Sequence, residues 1–196
     1  MRLSSVSVEF IPTTHQYLVN GVITPSVSQL LRDTLFADKY SDVPEFVLKK
    51  AAAFGTAVHH AIEHDDDSLL DDTQKRVFAD YKHLIDKHGI TPTKHEQIVY
   101  TGDYAGTFDM LAQIDGEEVL VDIKTTYNLD IDYLSWQLSL YAYAYGHQGK
   151  LYAIWLPKRK KGKVVEIPRV EEFEIIELLE AYNALQKVTD EQDIQW

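Results

Sequence analysis

Residues 105–124 constrain the fold of this chain more than any other stretch. Two largely apolar runs, Ala105–Ile114 and Glu117–Lys124, flank the dipeptide Asp115-Gly116. Such a pair accepts positive φ at both central positions of a tight turn, so the segment reads as a β-hairpin. Pairing centred between Asp115 and Gly116 places Asp109 opposite Asp122. Strand side chains alternate, so Asp122 and Lys124 point to one side and Ile123 to the other, into the core. Like charges facing each other across a sheet are destabilising, and an unpaired buried carboxylate is costly. A hard divalent cation removes both costs. A salt bridge from Lys124 to one aspartate would leave the second acid unexplained. Two carboxylates, a cation and a neighbouring ammonium are suited to activating water against a phosphodiester.

The rest of the chain reads as additions around this hairpin. Val6–Phe10 and Tyr17–Ile23, with the turn signal Asn20-Gly21, predict an N-terminal β-hairpin. Ser26 can cap a short helix, and Pro44-Glu45 opens a longer one that runs to about Glu63. A second long helix is expected over Leu69–His88, with Leu70, Val77, Tyr81, Leu84 and Ile85 at helical spacing. A strand over His95–Thr101 precedes the central hairpin. A helix follows over Ile131–Tyr145, then strands over Lys150–Leu156 and Val164–Ile167. A last helix starts at Glu171, with Phe173, Ile176, Leu179, Tyr182 and Leu185 as its apolar stripe. The order implies an α/β (α+β) domain with a central mixed sheet flanked by helices. One unit spans 1–196, divided as 1–45, 46–170 and 171–196.

Composition bounds the function. The chain has no cysteine, which excludes thiolate zinc sites and disulfides. No apolar run approaches the roughly 18 residues of a membrane span, and Met1–Ser5 lacks a leader pattern, so the expected location is the cytoplasm. The net charge of −12 argues against broad wrapping of nucleic acid. Residues 148–169, however, carry seven basic side chains against Glu166 alone. The run Lys158, Arg159, Lys160, Lys161 therefore either keeps a turn soluble or grips phosphates.

Further candidates lie at helical spacing. His59 and Glu63 share one helix face, as do Gln137 and Tyr141. His59 can offer an imidazole nitrogen to the same cation. Gly55 and Ala57 let that helix approach a sheet closely. Gln137 and Tyr141 can hold a phosphate or orient Lys124.

Four segments together resemble the PD-(D/E)xK nuclease superfamily, within it the RecB-like branch. They are Gly55-x3-His59-x3-Glu63, Gly106-Thr107-Phe108-Asp109, Asp122-Ile123-Lys124-Thr125 and Gln137-x3-Tyr141. The segment 25–31 is also similar to phage exonucleases and to mitochondrial genome maintenance exonucleases. The resemblance implies a restriction-endonuclease-like core and a Mg²⁺- or Mn²⁺-dependent deoxyribonuclease, exonuclease rather than endonuclease. It implies that His59, Asp109, Asp122 and the Ile123 carbonyl ligate the metal, with Asp109, Asp122 and Lys124 catalytic. Glu63, Thr125, Gln137 and Tyr141 would support the site or bind DNA. Glu96 is either a further acid near the metal or a solvated strand residue. Relatives with a four-cysteine iron–sulfur cluster are excluded by the absence of cysteine. The expected substrate is single-stranded DNA or DNA ends, in phage or bacterial recombination, repair or replication. A separate recombinase or helicase is a conceivable partner. The alternatives are a catalytically inactive DNA- or partner-binding module, or a structure-specific endonuclease, on the same fold.

Overall fold

A computed structural model describes residues 6–193, with side chains described as far as 187. Residues 1–5, read above for a leader, and 194–196, the end of the expected last helix, lie outside the described residues. The chain begins with β1 (Val8–Ile11), β2 (Gln16–Val19) and β3 (Val22–Thr24), which form a three-stranded antiparallel sheet rather than a simple hairpin. Asn20 and Gly21 have φ of 52° and 79°, as the turn signal requires. Then come α1 (Val27–Thr34), α2 (Glu45–His64) and α3 (Asp72–Lys87). Ser26 caps α1 by accepting the Gln29 amide.

The central sheet has the order β4 (Thr91–Tyr100), β5 (Ala105–Ile114), β6 (Glu117–Lys124), β7 (Leu151–Trp155), β8 (Lys163–Ile167). Only β6 and β7 are parallel, joined through α4 (Ile131–Tyr145), so the sheet is mixed. Helix α5 spans Glu172–Asp193. Leu111, Leu120 and Ala153 pack on one face with residues of α1, α4 and α5. Met110, Ala112, Val119, Val121, Ile123 and Ile154 pack on the other with α2 and α3. The result is a three-layer arrangement in which β6 is covered on both sides. Helix α4 is apolar nearly all round and lies in the core accordingly.

Three expectations need correction. Helix α3 starts at Asp72, not Leu69, because Asp71 and Gln74 form a reciprocal capping box. Strand β4 starts at Thr91, four residues earlier than expected, with Pro92 tolerated on an edge strand and a shift of register between Pro92 and Lys94. The buried stripe of α5 is Ile175, Leu178, Leu179 and Tyr182, whereas Phe173, Ile176 and Leu185 are exposed. Among the described residues no helix is long and apolar enough to cross a membrane.

Candidate metal centre

The site is built where the central sheet departs from regularity. Strands β5 and β6 pair from Ile114↔Glu117 to Met110↔Val121, and the pairing ends there. Extending that register by one residue sets Asp109 opposite Asp122, as the turn arithmetic requires. On the other side, β4 pairs His95↔Met110 and Gln97↔Phe108, which sets Glu96 opposite Asp109. Three acids therefore occupy one register row across three adjacent strands.

The backbone is distorted in that row. Glu96 has φ 46°, a left-handed conformation uncommon for a side chain without an Asn- or Asp-like local bond. Alternation fails across Asp109. Phe108 packs on Tyr141 and Tyr145 of α4, while Met110, two residues on, meets the Tyr81 hydroxyl of α3. Residues two apart in a regular strand share a face. This rotation lets Asp109 turn into the open fork. Its Oδ2 accepts the Ile123 amide at 2.5 Å, replacing a ladder bond with a carboxylate.

His59 arrives from the C-terminal half of α2, with Nδ1 3.3 Å from Asp109 Oδ1. Gly55 permits this approach: a Cβ there would lie 3.3 Å from Thr125 Oγ1. One donor atom each from His59, Glu96 and Asp109 lie within 4.8 Å of one another. Asp122 is 3% exposed and turned to Lys124. The ammonium donates to Asp122 Oδ1 at 2.8 Å. Oδ2 lies 2.7 Å from the same nitrogen, so both carboxylate oxygens face the ammonium. The ligand set implied by resemblance thus divides. His59 and Asp109 converge with Glu96, Asp122 stands beside them as the partner of Lys124, and Ile123 contributes its amide.

Electrostatics follow from burial and crowding. Burial opposes charge on His59, but Asp109 outweighs it and lifts the imidazole to about 9. Burial, reinforced by the Asp109 charge, raises Glu96 to about 7. Burial lifts Asp122 to about 6 against the pull of Lys124. Asp109 is held below the usual carboxylate range: burial would raise it, but His59, Lys124 and the Ile123 amide prevail. Lys124 stays above the usual lysine range because Asp122 and Asp109 outweigh its burial. Two carboxylates and an imidazole, with the Asp122–Lys124 pair at their flank, form a donor set that fits a divalent cation.

The other candidates fall into two groups. Gln137 and Tyr141 are buried beneath the site and bonded to each other, Nε2 to hydroxyl at 3.2 Å, with Gln137 Oε1 unpartnered. Tyr141 also fixes Gly106, since a Cβ there would lie 2.6 Å from its Cε1. Glu63 is exposed at the rim of the cleft that holds His59. Thr125 is half-buried beside Gly55. The basic turn stands apart. Lys158 lies over Phe54 at 3.9 Å and Lys160 over Tyr127 at 4.9 Å, with Arg159 and Lys161 exposed. Phe54 precedes Gly55 on α2, so the turn flanks the helix that carries His59.

A cleft of about 590 Å³ opens over His59, Glu96 and Asp109, walled by Phe10, His15 and Tyr17 of the N-terminal sheet. That wall was not read from the sequence. Its aromatic residues look like ordinary hairpin core, and the bridge of Ser26 to Ala105 and the 2.9 Å bond from Tyr17 to Thr107 set it beside β5.

No protein-family profile matches the chain, and no curated protein matches it by sequence. Among solved structures it is similar to that of SSO0001 (18% identity over 83% of this chain and 76% of the other, TM-score 0.47). It is similar to an alkaline exonuclease, LHK-Exo, from Laribacter hongkongensis (15% identity, 58% and 66%, TM-score 0.46). It is also similar to a phage related exonuclease from Haemophilus somnus 129PT (12% identity, 88% and 96%, TM-score 0.45). At such identities and scores these likenesses assign no activity to the chain.

Proposed function

We propose that this chain is a divalent-cation-dependent deoxyribonuclease of the RecB-like branch, acting as an exonuclease on single strands or DNA ends. The observation that carries the reading is the convergence of His59, Glu96 and Asp109 beside the buried Asp122–Lys124 pair. His59, Glu96 and Asp109 would hold the cation, with Asp122 at its flank. The imidazole in the set favours Mn²⁺ over Mg²⁺. When bound, such a cation polarises a phosphodiester oxygen and makes a water more acidic.

The protein's own groups supply the rest. Lys124 remains charged and its Nζ faces the acid row, where it can meet negative charge building on a phosphate oxygen. Asp122 orients that ammonium through Oδ1. Tyr141 and Gln137 support the floor from below. The Lys158–Lys161 turn, beside Phe54, offers positive charge for the phosphates that trail away from the site.

The test uses the purified full chain on fluorescent single-stranded DNA, duplex DNA and RNA, with Mn²⁺, Mg²⁺ or chelator. Expected is cleavage of DNA that needs a cation, is faster with Mn²⁺, and is lost in Asp109→Asn with its melting curve intact. Binding of DNA without cleavage by any cation would replace this reading with that of an inactive binding module.

A further inference from the structure

We propose that the N-terminal sheet is a base-stacking wall: Phe10, backed by Tyr17 and edged by His15, stacks an unpaired base of single-stranded DNA whose phosphate reaches the His59–Glu96–Asp109 group. The proposal rests on the nuclease reading above and names the substrate form that the site would select.

Phe10 and Tyr17 are direct register partners on β1 and β2, with ring centroids 4.8 Å apart. The His15 ring stands nearly perpendicular to that of Phe10, with centroids 5.1 Å apart. His15 is exposed and has φ 54°, so the β1–β2 turn holds it in a conformation that few side chains adopt readily. All three residues line the same cleft as the metal-ligating group. Ile98, 42% exposed on β4, adds an apolar surface in that cleft. The cleft therefore has carboxylates and imidazole at one side and π-faces at another. That division matches a nucleotide, which has a charged phosphate and an apolar-faced base.

The placement of the wall is fixed by polar contacts. The Tyr17 hydroxyl and Thr107 Oγ1 lie 2.9 Å apart, and the Ala105 amide donates to the Pro25 carbonyl at 2.9 Å. Thr107 and Ala105 belong to the strand that carries Asp109, so these bonds join the wall to the strand of the acid row. The charge of Glu96 reaches the Tyr17 phenol and adds to the rise that burial causes there. Stacking on aromatic side chains is tolerant of sequence, and it requires a base freed from its duplex partner. The net acidic surface offers no broad duplex footprint, and a stacking wall needs none.

The experiment measures binding of a thymidylate oligomer carrying one 2-aminopurine, with Ca²⁺ replacing Mn²⁺ to hold back cleavage. Phe10→Leu keeps an apolar cover on Tyr17 and removes the π-face; Phe10→Trp restores one. Thermal melts establish that both variants fold. Expected is quenching of 2-aminopurine fluorescence on binding to the natural protein and to Phe10→Trp. Phe10→Leu should lose the quenching and bind roughly tenfold more weakly. A Phe10→Leu protein that binds and quenches like the natural one overturns the wall, and so does absence of any oligonucleotide binding. Cation-dependent cleavage with unchanged Phe10→Leu binding refutes the wall and leaves the nuclease reading standing. Phe10-dependent quenching in a protein that cleaves with no cation does the reverse.

Discussion

The central hairpin is a regular ladder at its turn and an open fork at its other end, and each end holds a histidine. Near the turn, His147 is buried with Nε2 3.3 Å from the Lys150 carbonyl oxygen and Nδ1 3.7 Å from Glu118. Burial lowers its pKa. At the fork, burial also opposes the charge on His59, yet Asp109 lifts that imidazole to about 9. The two shifts have opposite signs because only the fork sets a desolvated carboxylate against the ring. Packing organises one end of the hairpin and charge the other. Stability and chemistry should therefore separate along its length.

The largest expected effect tests that separation. Lys124→Ala should lower phosphodiester turnover by about 10²- to 10³-fold, the usual loss when a group that stabilises developing charge is removed. Leu120→Ala, on a fully buried side chain four residues earlier in the same strand, should cost about 3 kcal/mol of stability. It should leave turnover of the folded fraction within a fewfold of the natural value. Turnover with Mn²⁺ and urea denaturation of both proteins check the pair. Equal loss of turnover in the two would mean that the ends are not independent.

A bound cation should sharpen the contrast. A ligand that binds only the folded state at about 100 times its dissociation constant adds about 2.7 kcal/mol of stability. Mn²⁺ should raise the melting temperature of the natural protein and of Leu120→Ala alike. Asp109→Asn should abolish the rise, because it removes one of the two carboxylates of the donor group. Calorimetric titration gives the same result independently. A Mn²⁺ shift that survives in Asp109→Asn would move the cation site elsewhere.

The two ends also differ in how much of them the sequence discloses. Turn chemistry is local. Asp115 and Gly116 adopt φ of 52° and 82°, and the bounds of β5, β6 and α4 match the expectation residue for residue. The placing of Asp109 across from Asp122, one step beyond the last paired residues, follows from that turn by counting. The fork is not local. Glu96 sits on a strand whose register slips near Thr93 and whose φ turns positive at the acid itself, and neither feature has a signature in residues 91–100. Its place in the donor group depends on how β4 is bent against β5, which sequence spacing does not specify. The aromatic wall was hidden for a related reason. Phe10 and Tyr17 pair within their own small sheet, and their relation to Asp109 arises from the contact of that sheet with β5. The expected stripe of α5 holds at Leu179 and Tyr182 and fails at Phe173, Ile176 and Leu185, because Phe173 and Ile176 suit a buried face as well as Ile175 and Leu178 do. Tertiary packing alone decides between them.

The smallest effect belongs to His147 and tests the turn end alone. Its pKa is lower in the folded protein than the ordinary imidazole value of about 6.5. As pH falls, the unfolded chain takes up the proton first. The stability that the neutral, buried ring contributes is whole above that ordinary value and is lost as pH falls through the folded-state value. The slope in that window is at most roughly 1.4 kcal/mol per pH unit. His147→Gln removes the titration and retains a polar group near the Lys150 carbonyl. Its urea midpoint should fall less steeply than that of the natural protein between about pH 6.5 and mildly acid conditions. Because the fork lies at the far end of the hairpin, cleavage at neutral pH should be unchanged in this variant. Parallel pH curves for the two proteins would mean that the Glu118 carboxylate compensates the His147 charge as Asp109 does at His59, and the contrast between the two ends would fail.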